Sequence, residues 1–190
     1  MVADLAAARI NMVESQVRTN DVTDLRIQDA MRQIPRERFV PSGKAYLAYA
    51  DVEVEYAPGR VLLRPRDVAK LLHALRPEPG ERALAIAAPY AAAVLEHVGL
   101  KVDRLEEGDL SKPAGGGYDL IVCEGAVAEA PQAWIDALGP GGRLGGIERG
   151  ERLGRAMVYV RSEDGVGKRP SFDASAAFLP GFEPKHGFAF

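Results

Sequence analysis

Chemistry-bearing residues are few in this 190-residue sequence and gather at a small number of places. Glu106 and Asp109 stand three positions apart in Glu106-Glu107-Gly108-Asp109, directly after an apolar run at residues 102–105. Arg64 and Arg66 flank Pro65, where a helix would open, and could in principle hold a carboxylate. Cys123 ends the run Tyr118-Asp119-Leu120-Ile121-Val122-Cys123. A thiol becomes reactive only where its surroundings lower its pKa, so a small buried residue is its ordinary role. A lone cysteine forms no internal disulfide and suits a reducing compartment, so a cytoplasmic protein is expected. His73, His97 and His186 have no metal-ligand spacing, and no metal is expected.

The elements that must position these residues are legible from periodicity. Residues 3–19 read as a helix with Leu5, Met12, Val13 and Val17 near one face. A second helix follows Thr23 as N-cap, with Ile27, Ala30, Met31 and Ile34 at i, i+3, i+4 and i+7, and Pro35 ends it. Residues 36–41 form a loop with two buriable side chains. Residues 51–63 alternate and break at Pro58-Gly59, which predicts a hairpin-like excursion. Pro65 opens a helix carrying Val68, Leu71, Leu72 and Leu75. A buried strand at 83–86 leads into a helix over 90–98, then a strand at 102–105. The apolar run at 118–123 is of the buried parallel-sheet kind. A helix from Pro131 carries Trp134, Ile135 and Leu138. Gly139-Pro140-Gly141-Gly142 ends it before a strand at 143–147. Strands near 155–161 and 166–173 flank the turn Ser162-Glu163-Asp164-Gly165. The aromatic tail (Phe182, Phe188, Phe190) is expected to pack on the body.

This alternation predicts an α/β fold: an open, mostly parallel sheet with helices on both faces and a C-terminal antiparallel hairpin. One domain over residues 1–190 is expected, with an N-terminal helical extension at 1–64 and a core at 65–190. Ligands in such sheets sit beyond the carboxyl ends of the strands at the switch point, here after Ile86, Leu105 and Cys123. The net charge of −3 gives no basic footprint, so nucleic acid is not an expected partner. No apolar stretch approaches the ~18–20 residues of a membrane span, and no signal peptide is visible.

The order of these pieces resembles the protein-L-isoaspartate O-methyltransferase family. The resemblance rests on Met12-Val13-Glu14-Ser15-Gln16-Val17-Arg18, on Ala30-Met31 with Ile34-Pro35-Arg36-Glu37-Arg38-Phe39-Val40-Pro41, and on Ala48-Tyr49-Ala50-Asp51. Tyr118-Asp119-Leu120-Ile121-Val122 and Leu138-Gly139-Pro140-Gly141-Gly142-Arg143-Leu144 add the regions of the fourth and fifth strands. It implies a Rossmann-like methyltransferase fold and methyl transfer from S-adenosylmethionine to the carboxylate of an isoaspartyl residue in a protein or peptide. That carboxylate is already ionised, so alignment rather than a general base carries the reaction, and no catalytic residue is assigned. The resemblance places the cofactor against Ala87, Pro89 and Tyr90. It matches Glu106 to the acid holding the ribose hydroxyls and Asp109 to the aspartate on the adenine side.

Three departures cluster on that one site. The family's glycine-rich loop, Glu-Ile-Gly-Thr-Gly-Ser-Gly-Tyr, is replaced by the shorter Ala85-Ile86-Ala87-Ala88-Pro89-Tyr90. Glycines permit positive φ and close backbone approach, whereas Pro89 fixes φ and removes a donor. A tight strand-to-helix turn with Pro89 at the first helical position is expected instead. The family's Thr-Ile-Ser segment is here Val61-Leu62-Leu63, whose aliphatic side chains would fill space meant for ligands. The segment from Leu105 to Tyr118 is too short for a crossover helix and strand, so one such unit is expected to be missing. The expectation is therefore a relative that is catalytically impaired or inactive, binding or scaffolding a protein partner not identifiable from the sequence. The alternative is an active S-adenosylmethionine-dependent enzyme with an altered pocket. An apolar plug of Leu63, Pro89 and Tyr90 would favour the first; an open cleft with Glu106 pointing into it would favour the second.

Overall fold

The computed structural model describes residues 4–150 and 153–184. His186, Phe188 and Phe190 lie outside the described residues. Helix α1 (Leu5–Met12) starts at Asp4, whose carboxylate accepts the N–H groups of Ala6 and Ala7 at 3.1 and 3.0 Å. It widens into a π-helical turn over Val13–Val17, then a 3₁₀ turn over Arg18–Asn20. Met12, Val13 and Val17 are buried and Leu5 packs against them, as their spacing predicts. The cap of α2 (Leu25–Gln33) is Asp24 rather than Thr23: the Asp24 carboxylate accepts the Arg26 N–H at 2.9 Å, one residue later than expected. Arg36–Phe39 forms a 3₁₀ turn in the expected loop.

Strands β1 (Val54–Ala57) and β2 (Arg60–Leu62) pair as the expected hairpin, with Gly59 at φ +67° in the turn. The main sheet runs β4-β3-β5-β6-β7-β8. Its parallel part comprises β3 (Arg82–Ile86), β4 (Lys101–Leu105), β5 (Tyr118–Val127) and β6 (Leu138–Arg149). An antiparallel hairpin of β7 (Gly154–Ser162) and β8 (Gly165–Asp173) completes it. Gly139–Gly142 belongs to β6 rather than to a loop: the chain there passes so close to the start of β5 that a Cβ on Gly142 would lie 2.6 Å from the Tyr118 carbonyl oxygen.

Helices α3 (Pro65–Leu75) and α4 (Pro89–Val98) cover one face of the sheet. The other face is covered by the short α5 (Gln132–Asp136), by the stretch after β4 and by the C-terminal segment. Residues 106–117 contain neither helix nor strand, which leaves β4 at the sheet edge. That stretch still closes the core: Leu110 is buried, and its carbonyl accepts the Trp134 indole N–H at 2.7 Å. Phe178 bridges to Ala126, and Phe182 packs on Trp134 with ring centroids 5.5 Å apart, so the described part of the aromatic tail folds back on the body. No helix among the described residues is long and apolar enough to cross a membrane.

Candidate functional site

The chain reverses its strand order between β4 and β5, with β3 between them, so the crevice for a ligand lies beyond Ile86, Leu105 and Cys123. Ile86, Ala87 and Ala88 have no accessible surface there. Pro89 occupies the first position of α4 as expected, and only it is partly exposed in the turn. Ala87 keeps φ at +46°, the left-handed geometry a glycine would supply freely; in alanine this costs about 1 kcal/mol or more. Two of the turn's donors are engaged internally. Ala87 N–H donates to the Leu105 carbonyl at 3.0 Å, and Ala91 N–H donates to the Glu124 carboxylate at 2.9 Å.

Glu124 is the residue the sequence reading passed over. It is 0 % exposed, and its other carboxylate oxygen accepts the Leu63 N–H at 2.9 Å. One buried acid thus ties the hairpin side, β5 and the start of α4 together. Ala88 offers α4 no capping side chain, and Glu124 serves from a distance instead. Burial pushes its pKa up, while Arg36 and the two amides favour its charged form. Arg36 is likewise fully buried. Its guanidinium donates to the Leu63 carbonyl and stacks 4.7 Å from the Tyr90 ring centroid, while Nε and Nη1 find no hydrogen-bond partner. Tyr90, packed edge-on against Phe39 with centroids 5.6 Å apart, has its phenol pushed up by burial.

Leu63 and Tyr90, two members of the expected plug, are both buried, with Val61 and Leu62 buried alongside. Pro89 contributes only partly. The decisive addition is Leu179, a fully buried residue seated on Gly125; a Cβ there would lie 2.8 Å from its Cγ. Hydrogen bonds from Ala126 N–H to the Ala177 carbonyl and from Leu179 N–H to the Ala126 carbonyl, both 2.8 Å, hold this segment over the end of β5.

The two matched acids part company. Glu106 follows the end of β4, half-buried, with Tyr56 OH donating to one oxygen at 3.3 Å and the other oxygen without a partner among the described residues. Burial raises its pKa. Asp109 is exposed and closes its own turn, accepting Ser111 N–H at 3.0 Å and Ser111 Oγ–H at 2.6 Å, with Lys112 at 2.9 Å. Those donors lower its pKa to about 2. Asp109 lines a cavity of about 420 Å³ with Arg60, Leu110 and Phe182. None of Ala87, Pro89, Tyr90 or Glu106 lines that cavity. Arg66 is neutralised by Asp51 at 3.2 Å and Asp67 at 3.5 Å. Cys123 is buried, and burial pushes its thiol well up, as an inert core residue requires. At the turn Ile86, Ala87 and Ala88 have no accessible surface, and the amides of Ala87 and Ala91 are already engaged.

Residues 8–104 match the sequence model of protein-L-isoaspartate(D-aspartate) O-methyltransferase, a match that stops at the end of β4. A protein-L-isoaspartate O-methyltransferase of Methylorubrum extorquens is 33% identical over 170 residues, covering 75% of each chain. One from Rhodopseudomonas palustris is 35% identical over 167 residues, covering 73% of this chain and 68% of its own. A solved protein-L-isoaspartate O-methyltransferase superposes with a TM-score of 0.73 at 20% identity, over 91% of this chain and 66% of that one. A Plasmodium falciparum structure of the same description, in complex with S-adenosyl-L-homocysteine, gives a TM-score of 0.73 at 16% identity over 90% and 97%. These two likenesses show a shared fold.

Proposed function

Because the chain belongs to the protein-L-isoaspartate O-methyltransferase family, we propose that it is a member whose methyl transfer is impaired or lost and which serves as a binding or scaffolding protein. One observation carries the reading. Ile86, Ala87 and Ala88 have no accessible surface at the point where the cofactor should lie. A ligand could reach them only by displacing side chains of the two core clusters to which they belong. The losses fall on one site: a turn without glycine, aliphatic side chains at 61–63, and a missing crossover that left Asp109 in its own turn. The positions inherited for the cofactor are Ala87, Pro89, Tyr90, Glu106 and Asp109, of which Glu106 keeps an unpartnered oxygen. That oxygen favours the second reading, an active enzyme with a rearranged pocket. Residues 1–64 and 65–190 act together as one domain in either case, in a cytoplasmic protein whose inherited substrate kind is an isoaspartyl protein or peptide.

Calorimetric titration with S-adenosylmethionine and S-adenosyl-L-homocysteine separates the two. The proposal expects no heat up to millimolar ligand and no methyl transfer to an isoaspartyl peptide. Micromolar binding would overturn it.

A further inference from the structure

At the β8 edge of the sheet, three elements converge on a cavity of about 340 Å³. Helix α3 contributes Lys70 and His73, spaced i, i+3 on one face, and Arg76 just past its end. The edge strand β8 contributes Arg169, Ser171 and Phe172, and the corner after the N-terminal helical segment contributes Asn20 and Asp21. This is the β8 edge of the sheet on the face that α3 covers, and none of Ile86, Ala87, Leu105, Glu106 or Cys123 lines the cavity. It is therefore separate from the crevice beyond Ile86 and Leu105.

The charge balance of the cavity is unlike that of the chain, which carries a net −3. Three basic side chains and a histidine meet one carboxylate, Asp21. Asp173, the residue after Phe172, pairs with Arg155 at 3.3 Å, and Glu81 pairs with Arg143 at 2.6 Å. Lys70 lies 4.7 Å from the Phe172 ring centroid, so its ammonium is held in place by the ring rather than by an acid. Like charges placed together without counter-charges cost energy unless an anion joins them. Arginine supplies forked donors that match phosphate oxygens, lysine a point charge, and serine and asparagine further hydrogen bonds.

We propose that this cavity is a binding site for a phosphate-class dianion, with Lys70, Arg76 and Arg169 holding the phosphate and Phe172 forming the apolar wall. The volume suits the phosphate group of a small phosphate monoester together with part of its organic body.

The test is an amide-resolved NMR titration of the full chain at constant ionic strength. Inorganic phosphate, phenyl phosphate and sodium chloride are the probes. Saturable shifts at Lys70, His73 and Ser171 are expected. Phenyl phosphate binding more tightly than inorganic phosphate would assign the site to a monoester; equal affinities would assign it to the free anion. The double variant Lys70→Gln/Arg169→Gln should weaken binding at least tenfold, whereas Lys70→Arg/Arg169→Lys should retain it. Arg169 is exposed on an edge strand and Lys70 only half-buried, so both variants should fold, which circular dichroism checks. Absence of saturation overturns the proposal, as does equal competition by chloride or unchanged affinity in the double glutamine variant. Each of these failures leaves the reading of the turn at Ala87 untouched.

Discussion

Replacing Glu124 by glutamine tests whether this buried acid holds the closed site together. The carboxylate accepts two backbone N–H groups at 2.9 Å, one from Leu63 and one from Ala91, on different oxygens. Glutamine preserves the shape but offers one acceptor oxygen, so its amide nitrogen must face one of the two donors. An orphaned buried donor costs about 1–3 kcal/mol. At about 2–4 °C per kcal/mol for a chain of this size, the melting temperature should fall by roughly 4–12 °C for a loss of 2–3 kcal/mol. The pH dependence gives an independent check. Burial raises the native pKa of Glu124, so the folded chain holds the proton more tightly than the unfolded one. Its contribution is fully present below the ordinary value of about 4.3 and is lost as pH rises through the raised native value. Glu124→Gln cannot titrate and should flatten that part of the profile. Glu53, Asp67 and Glu106 shift in the same direction, so only the difference between the two proteins isolates Glu124. Urea unfolding at a series of pH values supplies both numbers. A variant within about 0.5 kcal/mol of the parent, with an unchanged pH slope, would refute the assignment.

Gly125→Ala should lower stability by about 1–3 kcal/mol in chemical unfolding, because φ is +121° and the new Cβ meets Leu179 at 2.8 Å. Leu179→Ala should cost about 2–5 kcal/mol, and it should open the end of β5 enough to raise dye binding to exposed apolar surface. Cys123 should resist iodoacetamide at pH 8 in the native protein and react after denaturation; rapid native alkylation would contradict its burial and raised pKa.

The hydrophobic periods were enough to place most elements. The stripe Val68, Leu71, Leu72 and Leu75, the run Tyr118–Cys123 and the turn at Ser162–Gly165 are local patterns, and each appears in the structure as read. The missing crossover was also legible, because a count of residues between two strands needs no tertiary information. The cap of α2 moved one residue, since Thr23 and Asp24 are both able to cap and only the backbone geometry chooses. Gly139–Gly142 was misplaced because glycine and proline mark loops in isolation, whereas here close approach to Tyr118 requires them within a strand.

The loss of the glycine-rich turn is legible in the residues alone, because glycine's conformational freedom is a property of single residues. Whether that loss opened or closed the site depended on side chains far apart in the chain. Glu124 stood in an apolar run, a warning that a buried charge must have partners. The partners at Leu63 and Ala91 lie 61 and 33 residues away. Leu179 carried no local sign that it would sit on Gly125. Burial is a sum over neighbours that a linear pattern does not name, and only the folded chain decided that Ala87 and Ala88 would have no surface left.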